Sequence, residues 1–212
     1  MVRILSPDVF LYKKNYYIAK RIMDIALCLL MMPVLLVVFL VVSILIYMDD
    51  PGNIFFTQKR TGKGGRRFSM YKFRTMVTNA EELKEKYMYL NELTPPDFKI
   101  TNDPRVTRIG RFLRKTSLDE LPQIINVLKG DMSLVGPRPT SFDASTYSLW
   151  HTERLEVLPG ITGLWQINGR SELDFNERLR LDVEYIERQS FWLDIVILFR
   201  TIGSVFRHRG AY

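Results

Sequence analysis

The sequence predicts an α+β chain, predominantly helical with one β-hairpin, held on a membrane as a monotopic protein. Three observations carry that reading. A long apolar run lies near the N-terminus, positive charge flanks it on both sides, and a proline interrupts it. The 212 residues, 47% of them hydrophobic, leave room for about one domain with a substantial core. A charged fraction of 25% excludes global disorder. One cysteine excludes a disulfide framework, a zinc finger and an iron–sulfur cluster, and two distant histidines, His151 and His208, argue against a His-based metal site. The formal charge of +7, from 30 Lys+Arg against 23 Asp+Glu, points to an anionic partner. Nucleic acid, an anionic bilayer surface and a phosphorylated substrate all satisfy it.

The apolar run comes first. Ile22 to Met48 is 27 residues whose only charge is Asp24. It reads as a membrane segment, too long for a signal peptide and with no polar face for a buried soluble helix. As one straight helix it would reach about 40 Å, against a hydrocarbon core of ~30 Å. Pro33 removes a helical hydrogen bond and divides the run into arms of about 15–23 Å. Residues 1–21 carry Arg3, Lys13, Lys14, Lys20 and Arg21 against Asp8, and residues 49–75 carry seven cations against Asp49 and Asp50. Both flanks obey the positive-inside rule only if both lie in the cytoplasm. This favours a re-entrant helix bent at Pro33 over a single crossing, a tilted spanning helix being the alternative. The chain then divides into an interfacial segment (1–21), a re-entrant helix (22–48) and a cytoplasmic catalytic domain with C-terminal amphipathic helices (49–212). Asp24 is spaced to pair with Lys20 and Arg21, so these three read as an anchor at the interface.

Residues 54–73 alternate aromatic and polar groups around Thr61-Gly62-Lys63-Gly64-Gly65, the pattern of a hairpin. A phosphate loop would need GxxxxGK[ST], which is absent, so these glycines read as a turn. Residues 79–93 predict a polar helix, ended by Pro95-Pro96. Arg105, Arg108, Arg111, Arg114 and Lys115 recur about every three residues and predict one face of a helix. Ser117 and Glu120 fit a capping box, with Pro122 near the first turn of an apolar helix, Ile124 to Leu128, that stops at Lys129-Gly130-Asp131. On that reading Asp119 and Glu120 only favour a helix N-terminus. The chemical reading sets the same two carboxylates beside five cations and ahead of Gly136-Pro137-Arg138-Pro139. They then suit a phosphorylated ligand with Mg²⁺, which prefers one or two carboxylates plus substrate phosphates. The helix N-terminus and the arginines would keep Asp119 ionised, as a nucleophile must be. Arg138, stiffened between prolines, suits a bidentate phosphate contact.

From Lys20 onward the chain resembles the bacterial sugar transferases, the monotopic polyprenyl-phosphate phosphoglycosyltransferases. The matching motifs are Lys20-Arg21 with Asp24, Lys72-Phe73-Arg74-Thr75-Met76, and Asp103-Pro104-Arg105 through Ser117-Leu118-Asp119-Glu120-Leu121-Pro122-Gln123 to Gly136-Pro137-Arg138-Pro139. Pro159-Gly160-Ile161-Thr162-Gly163-Leu164-Trp165-Gln166 matches too. The resemblance implies Mg²⁺-dependent transfer of sugar 1-phosphate from a UDP-sugar to polyprenyl (undecaprenyl) phosphate, with release of UMP. That reaction initiates capsule, exopolysaccharide or glycan synthesis at the cytoplasmic face of a bacterial inner membrane. It implies Asp119 as nucleophile through a phosphosugar–aspartyl intermediate, Glu120 beside it at the metal, and Arg138 in nucleotide and phosphate recognition. Arg114, Arg105, Lys72 and Arg74 complete the cations expected to meet phosphate. It also implies a membrane helix broken at Pro33. Met32 departs from the Ser that some relatives place before this proline, and the twenty or so residues ahead of Arg21 suggest the catalytic unit alone.

In Phe191 to Arg207, Asp194, Arg200, Thr201, Ser204 and Arg207 share one side of a helical wheel while apolar residues fill the rest. Interfacial and core-packing roles both fit. Two other function classes fit the chain. A membrane-anchored basic module binding nucleic acid or anionic lipid would bind DNA with steep salt dependence and release no nucleotide. A spanning glycosyltransferase moving sugar without phosphate would release nucleoside diphosphate. The favoured reading needs the lipid bilayer and no nucleic acid; homo-oligomers, the sugar and the pathway are open.

Overall fold

A computed structural model describes residues 14–92, 100–143, 149–168 and 175–206. Residues 1–13, the Pro95-Pro96 stop, Arg207 and His208 lie outside that description. The chain is mostly helical, with a small antiparallel hairpin and one long apolar helix at its N-terminal end. That helix, α1 (Lys14–Asp49), is assigned without a break through Pro33, eight residues earlier at its start than the apolar run. Its buried positions are Lys20, Asp24, Cys28, Leu35, Val42 and Ile46, spaced by fours and sevens along one face. The rest of its surface is apolar and exposed, from Ile22 through Leu30, Val34, Val37 and Leu40 to Met48.

The hairpin pairs β1 (Phe55–Thr61) with β2 (Arg67–Phe73) in antiparallel register, Phe55 opposite Phe73 and Thr61 opposite Arg67. Gly64, at φ 64°, makes the left-handed step in the connecting turn, a step open to glycine at no steric cost. Phe73 stacks on Phe55 at 5.4 Å and meets Phe39 of α1 edge-on at 5.1 Å, which seats the hairpin on the long helix. The predicted helix over 79–93 shrinks to α2 (Glu82–Lys86) and a single 3₁₀ turn at Met88–Leu90. Neither has a buried residue, and a short helix without a packed apolar face has little to sustain it.

Next come α3 (Arg108–Thr116), a 3₁₀ turn (Leu118–Glu120) and α4 (Gln123–Lys129), which stops at Gly130 in the left-handed region as the sequence predicts. The capping box does not form. Ser117 sits at φ 58° as the left-handed end of α3, with no side-chain cap onto the turn, and Glu120 points elsewhere. A short parallel pair, β3 (Ser133–Val135) and β4 (Gly160–Thr162), follows. A Cβ on Gly160 would stand 2.1 Å from the Gly136 nitrogen, so glycine is required where these backbones cross. Helices α5 (Leu164–Asn168), α6 (Phe175–Arg188) and α7 (Phe191–Phe206) complete the fold.

The main core joins Cys28 and Leu35 of α1 to Phe68 and Met70, to Ile124 and Val127, and to Leu134, Tyr185 and Ile197. A second cluster packs Val42 and Ile46 against Phe73 and Leu113. Both ends of α1 are tied to this one domain. At its start, Lys20 donates to Asp194 at 2.8 Å, Arg21 donates to the last carbonyls of α4 at Val127 and Leu128, and Asp24 accepts from the Leu134 amide. The expected pairing of Asp24 with Lys20 and Arg21 is thus replaced by contacts into the domain, which satisfy buried groups that solvent cannot reach. At the other end, Asp49 accepts from the Ile109 amide, near the start of α3, and Asp50 pairs with Arg74 at 3.0 Å.

Helix α7 is inverted relative to a soluble helix. Asp194 and Ile197 face inward, and Thr201 shares a 2.7 Å hydrogen bond with Thr162. Trp192 and Phe199 are 74% and 72% exposed, with Val196 and Ile202 beside them. Core packing and an outward apolar face therefore coexist on one helix.

Candidate active site

The site forms where β2, the Leu118–Glu120 turn and the loop after β3 converge. Lys72 leaves β2 on the side opposite Phe73, as strand alternation requires. The neighbouring Asn126 of α4, fully buried, accepts from the Tyr71 amide and donates to the Ser69 carbonyl. These two bonds fix β2 against α4 and hold Lys72 over the turn. Lys72 donates to Glu120 at 2.9 Å and lies 4.0 Å from Asp119. From the other side, Arg138 grips both Glu120 oxygens, Nη1 at 3.0 Å from Oε2 and Nη2 on Oε1. The contact is bidentate as Arg138 predicts, with a carboxylate in the place of phosphate.

The two carboxylates thus differ. Burial alone would raise Glu120, but Arg138 and Lys72 overcome it and hold its carboxyl well below the usual carboxylate range. Asp119 goes the other way. Burial pushes its carboxyl up, Lys72 opposes that, and the adjacent Glu120 charge adds to it. Arg114 and Arg138 favour ionised Asp119, as the sequence suggests, but the helix N-terminus does not, because α4 begins only at Gln123, and burial works against ionisation. Asp119 is the less committed group: among the described residues its closest cation is Lys72, beyond hydrogen-bond length. A nucleophile needs that freedom, and its raised pKa keeps the oxygen basic.

Arg114 donates to Thr75 at 2.9 Å, where its charge still favours ionised Asp119. Arg74 and Arg105 are committed elsewhere. Arg74 holds Asp50 at the end of α1. Arg105 precedes α3 instead of lying on its face, and forms a buried fork with Asp103, Nε–Oδ1 2.9 Å and Nη2–Oδ2 2.6 Å. Two residues not singled out from sequence support the site: Arg154 donates to the Arg138 carbonyl at 2.7 Å and to Asp182 at 2.6 Å. Neither carries a local motif, and a charge in a mixed helix such as α6 reads as a solvated face.

Ser117 is the non-glycine residue with positive φ among the described residues, and it sits two positions before Asp119. An L-residue there costs about 1–2 kcal/mol, strain of the kind that gathers at working sites. Ser117→Gly is expected to melt within a few degrees of wild type and to keep its activity. Ser117→Val, β-branched and so a worse fit to positive φ, should unfold at lower urea than wild type and misaim the turn.

The donor set suits Mg²⁺ in part. Asp119 offers a carboxylate that no protein donor has claimed at hydrogen-bond distance, and Glu120 lies beside it. Magnesium needs only one or two such groups if substrate phosphates complete its shell.

Fold and site together define a class: a mostly helical protein that sets a carboxylate pair among cations beside a long apolar helix. A family model described as bacterial sugar transferase matches residues 15–208, and the chain belongs to that family. It is 45% identical over 212 residues to the galactosyl transferase CpsE of Streptococcus agalactiae serotype III, covering 98% of this chain and 46% of that one. It is 41% identical over 221 residues to an undecaprenyl-phosphate galactose phosphotransferase of Salmonella typhimurium, covering 100% and 45%. It is 38% identical over 199 residues to the exopolysaccharide production protein ExoY of Rhizobium meliloti, covering 92% and 88%. The chain spans about half the length of the first two relatives and most of the third.

Proposed function

We propose that this chain transfers sugar 1-phosphate from a UDP-sugar to undecaprenyl phosphate, giving the lipid diphosphate-linked sugar and UMP. One observation carries the reading: a little-committed, desolvated Asp119 beside a Glu120 that Lys72 and Arg138 hold ionised. The names of the relatives, among them a UDP-glucose:undecaprenyl-phosphate glucose-1-phosphate transferase of Xanthomonas campestris at 39% identity, support the substrates. In the first half-reaction an Asp119 oxygen attacks the β-phosphorus of the donor. The new O–P bond forms as the bond from that phosphorus to the bridging oxygen breaks, and UMP leaves with the electron pair. In the second, a phosphate oxygen of the lipid attacks the same phosphorus and frees the Asp119 carboxylate. Lys72, Arg114 and Arg138 face the charge that develops on the phosphoryl oxygens. Asp119 and Glu120 would hold Mg²⁺, which when bound neutralises the diphosphate. A scan of UDP-sugars with undecaprenyl phosphate tests the proposal: UMP release supports it, whereas UDP release or no nucleotide at all overturns it.

The same proposal places α1 as a re-entrant helix and the domain on the cytoplasmic face of the inner membrane. Support comes from the two ends of α1, both bound to one domain, and from cationic flanks on either side. A crossing helix would carry its ends to opposite faces. In a Cys28→Ala background, cysteines at Asn15 and Lys63 are expected to resist an impermeant thiol reagent outside intact cells and to react once the inner membrane is opened. Pro33→Leu, which restores a helical hydrogen bond, should shift position 15 toward outside labelling. Outside labelling of position 15 in the parent would mean that α1 crosses.

A further inference from the structure

The loop that carries Arg138 has little backbone of its own to hold it. Pro137 and Pro139 on either side bring no N–H. The loop is fixed through its carbonyls instead. Pro137 accepts from the Gly160 amide at 2.9 Å, and Thr140 accepts from the Thr61 amide at 3.0 Å. Between them, the Arg138 carbonyl accepts from a charged side chain, Arg154 Nη2, at 2.7 Å. The same nitrogen reaches Asp182 Oδ2 on α6 at 2.6 Å. Both partners are buried, Arg154 at 7% exposure and Asp182 at 1%. Arg138 and Arg154 line one small cleft with Thr61 and Leu155.

We propose that Arg154 and Asp182 are positioning residues that set the Arg138 guanidinium for the diphosphate of the sugar donor. The proposal rests on the reading of Arg138 given under Proposed function. A buried ion pair contributes little net stability beside an apolar replacement, so a pair kept here is better explained by what it holds. What it holds is the backbone of the residue whose side chain grips Glu120. The connection runs from α6 through Arg154 to the Arg138 carbonyl, and from the Arg138 guanidinium to the carboxylate next to the nucleophile. Neither Arg154 nor Asp182 need touch substrate. Burial also pushes the Asp182 carboxyl up to about 7, with Arg154 pulling it back. Asp182→Asn keeps an oxygen acceptor for Arg154 but loses the charge.

The test uses the full chain in nanodiscs with UDP-galactose, UDP-glucose and undecaprenyl phosphate. Asp182→Asn and Arg154→Lys are expected to raise KM for the donor about tenfold, or 1.36 kcal/mol. KM for undecaprenyl phosphate should stay at its wild-type value, whereas the melting temperature should fall in Asp182→Asn, which leaves the buried Arg154 charge without its partner. Amide hydrogen exchange across residues 136–142 should quicken about tenfold in both variants, with α4 unchanged. A parallel rise in both KM values would show a merely structural pair and overturn the proposal. Unchanged exchange at 136–142 would overturn it as well. If wild type turns over no UDP-sugar, the functional reading fails first. The exchange measurement then decides alone whether the pair sets Arg138.

Discussion

Asp119→Asn is expected to abolish UMP release and to leave no trapped phosphosugar adduct. The amide keeps the shape of the carboxylate and its place on the turn, but it has no charged oxygen to offer phosphorus. Its neighbours should hardly notice, because Lys72 lies 4.0 Å away and is satisfied by Glu120. A folded, inactive protein is therefore the expected result, read by a melt and by UMP release on the same sample. More than about a tenth of wild-type rate, a barrier change under about 1.4 kcal/mol, would remove Asp119 from the nucleophile's role. The wild-type pH profile bears on the same atom. Burial raises the Asp119 carboxyl, and only the ionised form attacks. Activity should thus fall on acidification at a pH above the 3.8 of an ordinary aspartate.

Glu120→Gln should be nearly as severe, for a different reason. Glu120 neutralises Lys72 and Arg138 together, and removing one partner of a largely buried ion pair costs about 3–5 kcal/mol. Arg138 is partly open to water, which trims the cost to about 2–3 kcal/mol. If that loss falls on the transition state it slows kcat/KM by about a hundredfold. The Mg²⁺ concentration for half-maximal rate should rise as well. Stability follows the same charge. The Glu120 carboxyl is depressed in the fold, so its contribution is full above its unfolded value of 4.5 and drains as pH falls below it. Urea melts from pH 7 to pH 3 should show wild type losing stability in acid and Glu120→Gln losing less. An unchanged rate, Mg²⁺ dependence and acid profile would detach Glu120 from the site.

Much of this was legible in the chain, and the reasons differ by element. Helix α1, the hairpin and the Gly130 stop announce themselves locally, through a long apolar run, strand alternation and a glycine that must be left-handed. The β3–β4 pair was not legible: each strand is three residues long, and its partner lies some 27 positions away. The site divides the same way. Asp119, Glu120, Lys72, Arg114 and Arg138 are brought together, while Arg74 and Arg105 go to carboxylates that the spacing of charges does not reveal. Ser117 and Glu120 fit a cap by sequence, yet tertiary cations outbid the local backbone amide for Glu120. Asp194 shows the limit of a helical wheel. A polar wedge has no sign telling inside from outside; here Asp194 turns in while Arg200 is exposed.

The Lys20–Asp194 contact has a consequence for biogenesis. Lys20 is made 174 residues before its counter-ion. At ~5–20 residues per second that interval is roughly 10–35 s. Only when the last helix docks can Lys20, Tyr16 and Tyr185 close around Asp194. The anchor is made well before the contact that completes it.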